Sequence, residues 1–285
     1  MNNKWKTNNI VTLSNNIKEY TEEAYKYICE RFSFIPACYL DSLDANINPI
    51  NVVKTLKYDV DGSLGFSTNY TPDELIQIYK NCWKNVLSIK ISRKRKTKYN
   101  YYTAEWASKD WGKVSGDVIF SFPKEKLLDE FERIGVKKDY LKILARLCYT
   151  IGNFIPVPKK GRGKLSANSL HSYHRSYIGG QQWERFDKYL YDSCFNINDS
   201  KYKEYYNNFG KYYNELLYNK NYFHDCIIKN NKIIDLVTLK VCDDGKFSEL
   251  NSKELVESYI VNICACIIIR GNKMKNEMNR IINND

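Results

Sequence analysis

The segment from residue 252 to residue 275 constrains the fold more strongly than any other part of the chain. Asn251 followed by Glu254 is a capping-box pattern, which predicts the start of a helix that runs to about residue 280. Apolar residues occupy nearly every side of this helix: Ile260, Ile263, Ala265, Ile267 and Ile268. A helix that is apolar all round is stable when it is buried on every side, so we expect this segment in the core.

The apolar runs also indicate a location for the protein. The longest of them, residues 263–269, falls far short of the roughly 20 residues that span a bilayer. The N-terminus has no apolar region typical of a signal peptide. The 9 cysteines are odd in number and include no C-x-x-C pair, which argues against a disulfide framework. We therefore expect a cytoplasmic protein with no membrane partner.

Spacing and turn signals predict the other elements. Amphipathic periodicity indicates a helix over residues 17–32, and Thr71-Pro72-Asp73-Glu74 caps a predicted helix over residues 71–87. Residues 113–122 are rich in β-branched and aromatic residues and predict a strand. Further helices are expected from Pro123 to Gly135 and at residues 138–151, 181–194, 200–218 and 221–229. Residues 152–180, with 2 of the 6 prolines, predict a long loop.

These elements predict an α+β fold that is predominantly α-helical, with a small strand-containing N-terminal half and an all-helical C-terminal half. No Gly-, Ser- or Pro-rich linker divides the 285 residues. We therefore expect a frayed N-terminus at residues 1–15 and a single compact domain at 16–280. Within that domain, residues 16–122 form the mixed α/β part and residues 123–280 the helical part.

The charge of the chain favours acidic partners. Lys and Arg number 44 against 33 Asp and Glu, which gives a net charge of +11. Such an excess is typical of proteins that bind nucleic acid or an acidic protein. The chain is also rich in Lys, Asn, Ile and Tyr, as expected from an AT-rich genome, so codon bias is an alternative source of the charge.

The densest basic run is S-R-K-R-K-T-K at residues 92–98, and tyrosines follow it at once. Cations neutralise phosphates and tyrosines offer stacking faces for bases, so this composition favours RNA or a single strand. A solvated loop is the alternative. The predicted nucleic-acid-binding residues of this run are Arg93, Lys94, Arg95, Lys96, Lys98 and Tyr101.

A second basic run, P-K-K-G-R-G-K at residues 158–164, interleaves cations with two glycines. Glycine allows backbone amides to approach a phosphate closely, although the run is no Walker A loop. A flexible basic surface loop is the alternative. The predicted phosphate-binding residues are Lys159, Lys160, Arg162 and Lys164.

Two of the 3 histidines lie close together at His171 and His174, and Arg175 follows them. These three residues could supply the acid, the base and the anion clamp of a metal-independent RNase. No Cys or carboxylate pair lies at the spacing that zinc would need, so we expect neither a metal nor another cofactor. Internal hydrogen bonding is the alternative role.

Several segments resemble an uncharacterised family of low-GC Gram-positive bacteria. They are Y-T-I-G-N-F-I-P-V-P (149–158), R-F-D-K-Y-L (185–190), residues 206–227 and I-I-I-R-G-N-K-M (267–274). The resemblance implies one soluble domain of mixed α+β structure that ends near residue 275, and it implies no known activity. The matching positions are Gly152, Asn153, Pro156, Pro158, Asn168, Arg185, Asp187, Asn221, Asp225, Arg270 and Gly271.

Three of these matching positions carry charge, namely Arg185, Asp187 and Arg270. Arg270 ends an apolar helical stretch, where a charge is costly unless it is paired. Either a structural ion pair or an anion-binding site explains the three.

The sequence thus predicts a cytoplasmic bacterial protein that binds nucleic acid, with phage defence, toxin or mobile-element biology as its setting. One alternative is a metal-independent enzyme that processes RNA or nucleotides. The other is a protein–protein interaction module whose basic surface meets an acidic partner. The oligomeric state stays open.

Overall fold

The computed structural model describes residues 3–32, 87–96, 99–108, 112–148, 150–158, 174–194 and 222–282. Its helices are α1 (Ile10–Glu19), α2 (Thr21–Phe32), α3 (Glu125–Arg133), α4 (Lys138–Leu147), α5 (Phe186–Cys194) and α6 (Lys253–Ile282). Its strands are β1 (Leu87–Lys96), β2 (Tyr99–Ser108), β3 (Gly112–Val118), β4 (Phe154–Pro158), β5 (Arg175–Ile178), β6 (Gln181–Glu184), β7 (Ile228–Lys229) and β8 (Lys232–Ile233). Short 3-10 helices occupy Asn3–Lys6 and Ile151–Asn153.

Helix α6 lies at the centre of the core, as its all-round apolar sequence predicts. Every residue from Tyr259 to Asn272 is buried. Helices α1 and α4 and the 3-10 helix Ile151–Asn153 pack against it. Ser252 caps its start, because the Ser252 Oγ accepts a hydrogen bond from the backbone N–H of Leu255 at 3.4 Å.

Three polar side chains of α6 bind carbonyl groups of three separate segments. Asn262 donates to the carbonyl of Leu236 at 2.8 Å, Arg270 Nε to that of Gly152 at 2.6 Å, and Asn272 to that of Trp5 at 3.1 Å. Buried polar groups have to be hydrogen-bonded. These bonds therefore fix both the rotation and the height of α6 within its surroundings.

Gly152 allows the chain to approach α6 at backbone contact distance. A Cβ at this position would lie 2.1 Å from the carbonyl oxygen of Ile267 and 2.8 Å from the nitrogen of Gly271. The next residue, Asn153, is fully buried. Its amide donates to the carbonyls of Phe120 at 2.9 Å and Cys148 at 2.6 Å and accepts from the N–H of Phe120 at 3.0 Å.

The N-terminal residues differ from the expected frayed segment. Residues 3–6 form a 3-10 helix with Trp5 buried, and α1 begins at Ile10 with Asn9 as its cap. Ile10, Leu13 and Ile17 lie in the core. Their spacing of three and four residues is helical, but the asparagines and lysines between them give the segment a polar composition that conceals it.

The strands lie in the middle and C-terminal regions of the chain. Strands β1 to β4 form an antiparallel sheet in that order, and the pairs β5–β6 and β7–β8 are separate hairpins. The α+β class is therefore correct, whereas the all-helical half after residue 123 is wrong. Five of the eight strands of the described part follow that residue.

Tight turns explain the missed hairpins. Gly179 and Gly180 both have positive φ, as do Asn230 and Asn231. Two successive residues with positive φ are the signature of a type I′ turn, which joins adjacent strands. Residues 181–184 are consequently strand β6 rather than helix, and residues 222–229 form turns and β7 rather than the predicted helix.

Other elements agree with the sequence in part. The helix predicted after Pro123 is α3, and Gly135, with a φ of +77°, follows its end. The predicted helix over residues 138–151 ends earlier, at Leu147, and the strand predicted over residues 113–122 ends at Val118. Residues 71–86 and 200–218 lie outside the described residues. In the described ranges, no helix combines the length and the apolar character needed to cross a membrane.

We expect Gly152→Ala to lower the free energy of unfolding by about 3 kcal/mol, because the new Cβ would overlap backbone atoms that cannot move aside cheaply. Urea denaturation followed by circular dichroism measures this loss. Gly135→Asn is the matched control. A Cβ at Gly135 meets no atom within 4 Å, and asparagine tolerates positive φ. Equal losses in the two variants would contradict the close contact at Gly152.

Candidate functional site

The hairpin of β1 and β2 extends beyond the rest of its sheet. The two strands pair along their whole length, from Leu87 opposite Ser108 to Lys96 opposite Tyr99. Strand β2 pairs with β3 only at residues 106–108. Residues 90–96 and 99–105 therefore pair only with each other among the strands that the structure describes. We call these residues the arm; at about 3.4 Å per residue, it is roughly 20 Å long.

The register of the arm brings the predicted basic residues and tyrosines together. Arg93 lies opposite Tyr102, and Lys94 lies opposite Tyr101. Arg95 and Lys96 lie opposite Asn100 and Tyr99. The sequence shows cations followed by tyrosines, with a solvated loop as the alternative interpretation, whereas the ladder places each tyrosine directly across from a cation.

The remaining predicted contact residues are not placed by the structure. Pro158, immediately before the second basic run, is the last residue of β4 and pairs with Val114. The predicted residues that lie outside the described ones are Lys98, Lys159, Lys160, Arg162, Lys164 and His171.

His174 belongs to a buried contact between β5 and α5. Its side chain is 6% exposed, and its Nε2 lies 2.8 Å from Oδ2 of Asp192. Its ring packs edge-on against Tyr189 with centroids 5.5 Å apart. The neighbouring Arg175 donates to the side chain of Gln182 across the β5–β6 hairpin. His174 and Arg175, the described members of the histidine group, therefore both have partners within the protein.

Arg185 is fully buried, and protein groups receive all of its hydrogen bonds. It donates to both carboxylate oxygens of Asp187 at 2.9 and 2.7 Å and to Asp235 at 3.1 Å. Its Nη1 donates to Ser176 Oγ at 3.0 Å and to the carbonyl of Ser248 at 2.8 Å. These five bonds equal the five N–H donors of a guanidinium. Arg185 and Asp187 therefore form a structural ion pair with no donor left for an external anion.

The two carboxylates of this network are also satisfied. Asp187 accepts from the backbone N–H of Leu236 at 2.9 Å, and Asp235 accepts from the N–H groups of Val237 at 2.9 Å and Ser248 at 3.1 Å. Burial by itself would lower the pKa of Arg185, but the charge and hydrogen bonds of Asp187 raise that pKa above its ordinary value. The network links α5, β5 and the segment of residues 235–248.

Arg270 has a separate environment. Its guanidinium lies 3.9 Å from the ring centroid of Phe223, in addition to its bond to Gly152. It also faces a buried pair of thiols, Cys226 and Cys266. Burial favours the neutral thiol, yet a hydrogen bond from Cys266 and the charge of Arg270 lower the pKa of Cys226. No group of three metal-ligating side chains occurs in the described ranges.

Sequence reasoning missed Asp235 and Ser176 as partners of Arg185. Asp235 interrupts the apolar run K-I-I-D-L-V at residues 232–237, and a carboxylate in such a run is itself a signal of a buried ion pair. Ser176 carries no comparable signal in the sequence, because serine occurs throughout loops.

The chain matches no protein-family model, no curated protein and no solved structure. Function therefore has to be argued from the arrangement of its own residues, and the family resemblance stays a prediction.

We expect Asp187→Asn to lower the free energy of unfolding by about 3–5 kcal/mol, because it leaves the buried Arg185 charge without its main counterion. Thermal and urea unfolding of the purified variant measure the loss. Glu132→Gln is the control, since Glu132 pairs with Lys138 at the surface, and we expect it to leave the midpoint nearly unchanged. Similar midpoints for both variants would contradict a structural role for the network.

Proposed function

We propose that this protein binds nucleic acid through the arm. The observation that carries the proposal is the register, which places three cations of β1 directly opposite three tyrosines of β2. Lys and Arg release counterions from a phosphate backbone, and aromatic rings stack on bases whatever their sequence. A projecting ribbon with both kinds of residue offers both interactions along one element.

The net charge of +11 supports the same function, because it attracts a polyanion from a distance. Several cations elsewhere on the described surface pair with carboxylates. Lys138 pairs with Glu132, Lys142 with Asp139, and Lys232 with Asp243. The arm differs in that its register places tyrosine or asparagine, not a carboxylate, opposite each of its four consecutive cations.

Charges on an edge strand have a second known role, which is to prevent edge-to-edge pairing of sheets. Glutamate would serve that role as well as lysine or arginine does. Substitution by glutamate therefore separates the two roles: it keeps the edge charged and reverses the attraction for phosphate.

We expect the variant with Arg93, Lys94, Arg95 and Lys96 changed to Glu to lose binding of labelled single-stranded RNA, single-stranded DNA and duplex DNA. In wild type, affinity should fall steeply with salt, and each phosphate that the arm neutralises contributes about 0.7–0.9 to the slope of log K against log salt. Fluorescence anisotropy at several salt concentrations measures both quantities.

The matched control changes four exposed lysines elsewhere, Lys26, Lys126, Lys229 and Lys240, to Glu. It carries the same change in net charge, so binding should weaken only modestly. Equal losses in the two variants would indicate diffuse charge attraction instead of a site on the arm. Absence of wild-type binding at low salt would overturn the proposal and favour an acidic protein partner, while RNA shortening in the same samples would indicate an enzyme.

A further inference from the structure

The two faces of the arm carry different residues. In an antiparallel ladder, directly opposite residues share a face and successive residues alternate between faces. The lysine face holds Lys94, Lys96, Tyr99 and Tyr101. The arginine face holds Arg93, Arg95, Asn100 and Tyr102.

The faces also differ where the arm meets the sheet. The arginine face continues into the apolar positions Ile89, Ile91, Ala104 and Trp106. The lysine face continues into the polar positions Lys90, Ser92, Thr103 and Glu105. An antiparallel sheet turns its apolar face to the protein and its polar face to water. By register, the lysine face is thus the continuation of the polar face of the hairpin.

We propose that the lysine face binds single-stranded nucleic acid, with Tyr99 and Tyr101 as stacking residues and Lys94 and Lys96 as phosphate contacts. This inference rests on the proposed function and adds the class of ligand and the face that binds it.

The spacing of the lysine face favours an unpaired strand. Tyr99 and Tyr101 are two residues apart on one strand, so their backbones are roughly 7 Å apart on the same face. Each lies opposite a lysine of the neighbouring strand. Two adjacent bases can stack on Tyr99 and Tyr101 only when the faces of the bases are free. In a duplex, the base faces are already stacked on neighbouring base pairs.

The first experiment uses two adjacent residues of the same type on opposite faces. In the full chain, we expect Tyr101→Leu to weaken binding of a labelled 15-nucleotide oligouridine by about tenfold. Tyr102→Leu should leave it nearly unchanged. An abasic oligonucleotide of equal length keeps the phosphates without the bases, so Tyr101→Leu and wild type should bind it equally. If Tyr101 had a purely structural role, Tyr101→Leu would instead weaken the binding of both oligonucleotides.

The second experiment compares equal losses of charge. Lys94→Gln with Lys96→Gln should reduce the salt slope for oligouridine by about 1.4, the value for two single-strand phosphate contacts. Arg93→Gln with Arg95→Gln should reduce the slope by clearly less, since these two residues lie on the other face of the ladder. If Tyr101→Leu proves unstable in thermal unfolding, comparing the double lysine variant with the double arginine variant still tests which face binds.

The outcomes separate the two proposals. Equal effects of the lysine and arginine substitutions, or tighter binding of wild type to duplex than to oligouridine, would overturn the lysine-face inference and leave nucleic-acid binding standing. Failure of wild type to bind any of these probes at low salt would overturn the proposed function itself.

Discussion

Burial of α6 on every side between Tyr259 and Asn272 is the constraint on which the rest of the structure depends. A helix without a solvent face has no preferred orientation from hydrophobicity alone, since every rotation buries the same kind of surface. Polar residues supply the missing information. Asn262, Arg270 and Asn272 each bind a carbonyl on a different surrounding segment. Apolar contact thus provides the driving force for packing, and three hydrogen bonds fix the rotation and height of the helix.

The residues that suggested a family resemblance explain the packing of the core. Gly152, Gly271 and Arg270 meet where the chain comes into backbone contact with α6, and Asn153 holds the adjoining turn. The other buried arginine of the described residues, Arg185, donates all five of its N–H groups to protein acceptors. Arg185 and Arg270 are therefore hydrogen-bonded to groups within the protein, whereas the proposed function rests on the cations of the arm.

Predictions from the sequence succeeded where one strong pattern dominated. The all-round apolar run gave α6, and Pro123 with Gly135 bracketed α3. The predictions failed where the structure depends on a particular backbone conformation or on a partner that is distant in the sequence. The turn at Asn230 and Asn231 depends on positive φ, and the partner of the Trp5 carbonyl, Asn272, lies 267 residues further along the chain. The arm was missed as a hairpin because its charged composition resembles that of a loop, although alternation at Ile89 and Ile91 was already present.

The position of α6 along the chain has a consequence for protein synthesis. Its described packing partners, including α1, α4 and the Ile151–Asn153 segment, all leave the ribosome before it does. Asn272, whose side chain binds the carbonyl of Trp5, is synthesised 267 residues after it. At about 5–20 residues per second, the apolar surfaces that will surround α6 stay uncovered for roughly 10–50 s. The nascent chain is therefore a natural client for chaperones that hold such surfaces until the central helix emerges.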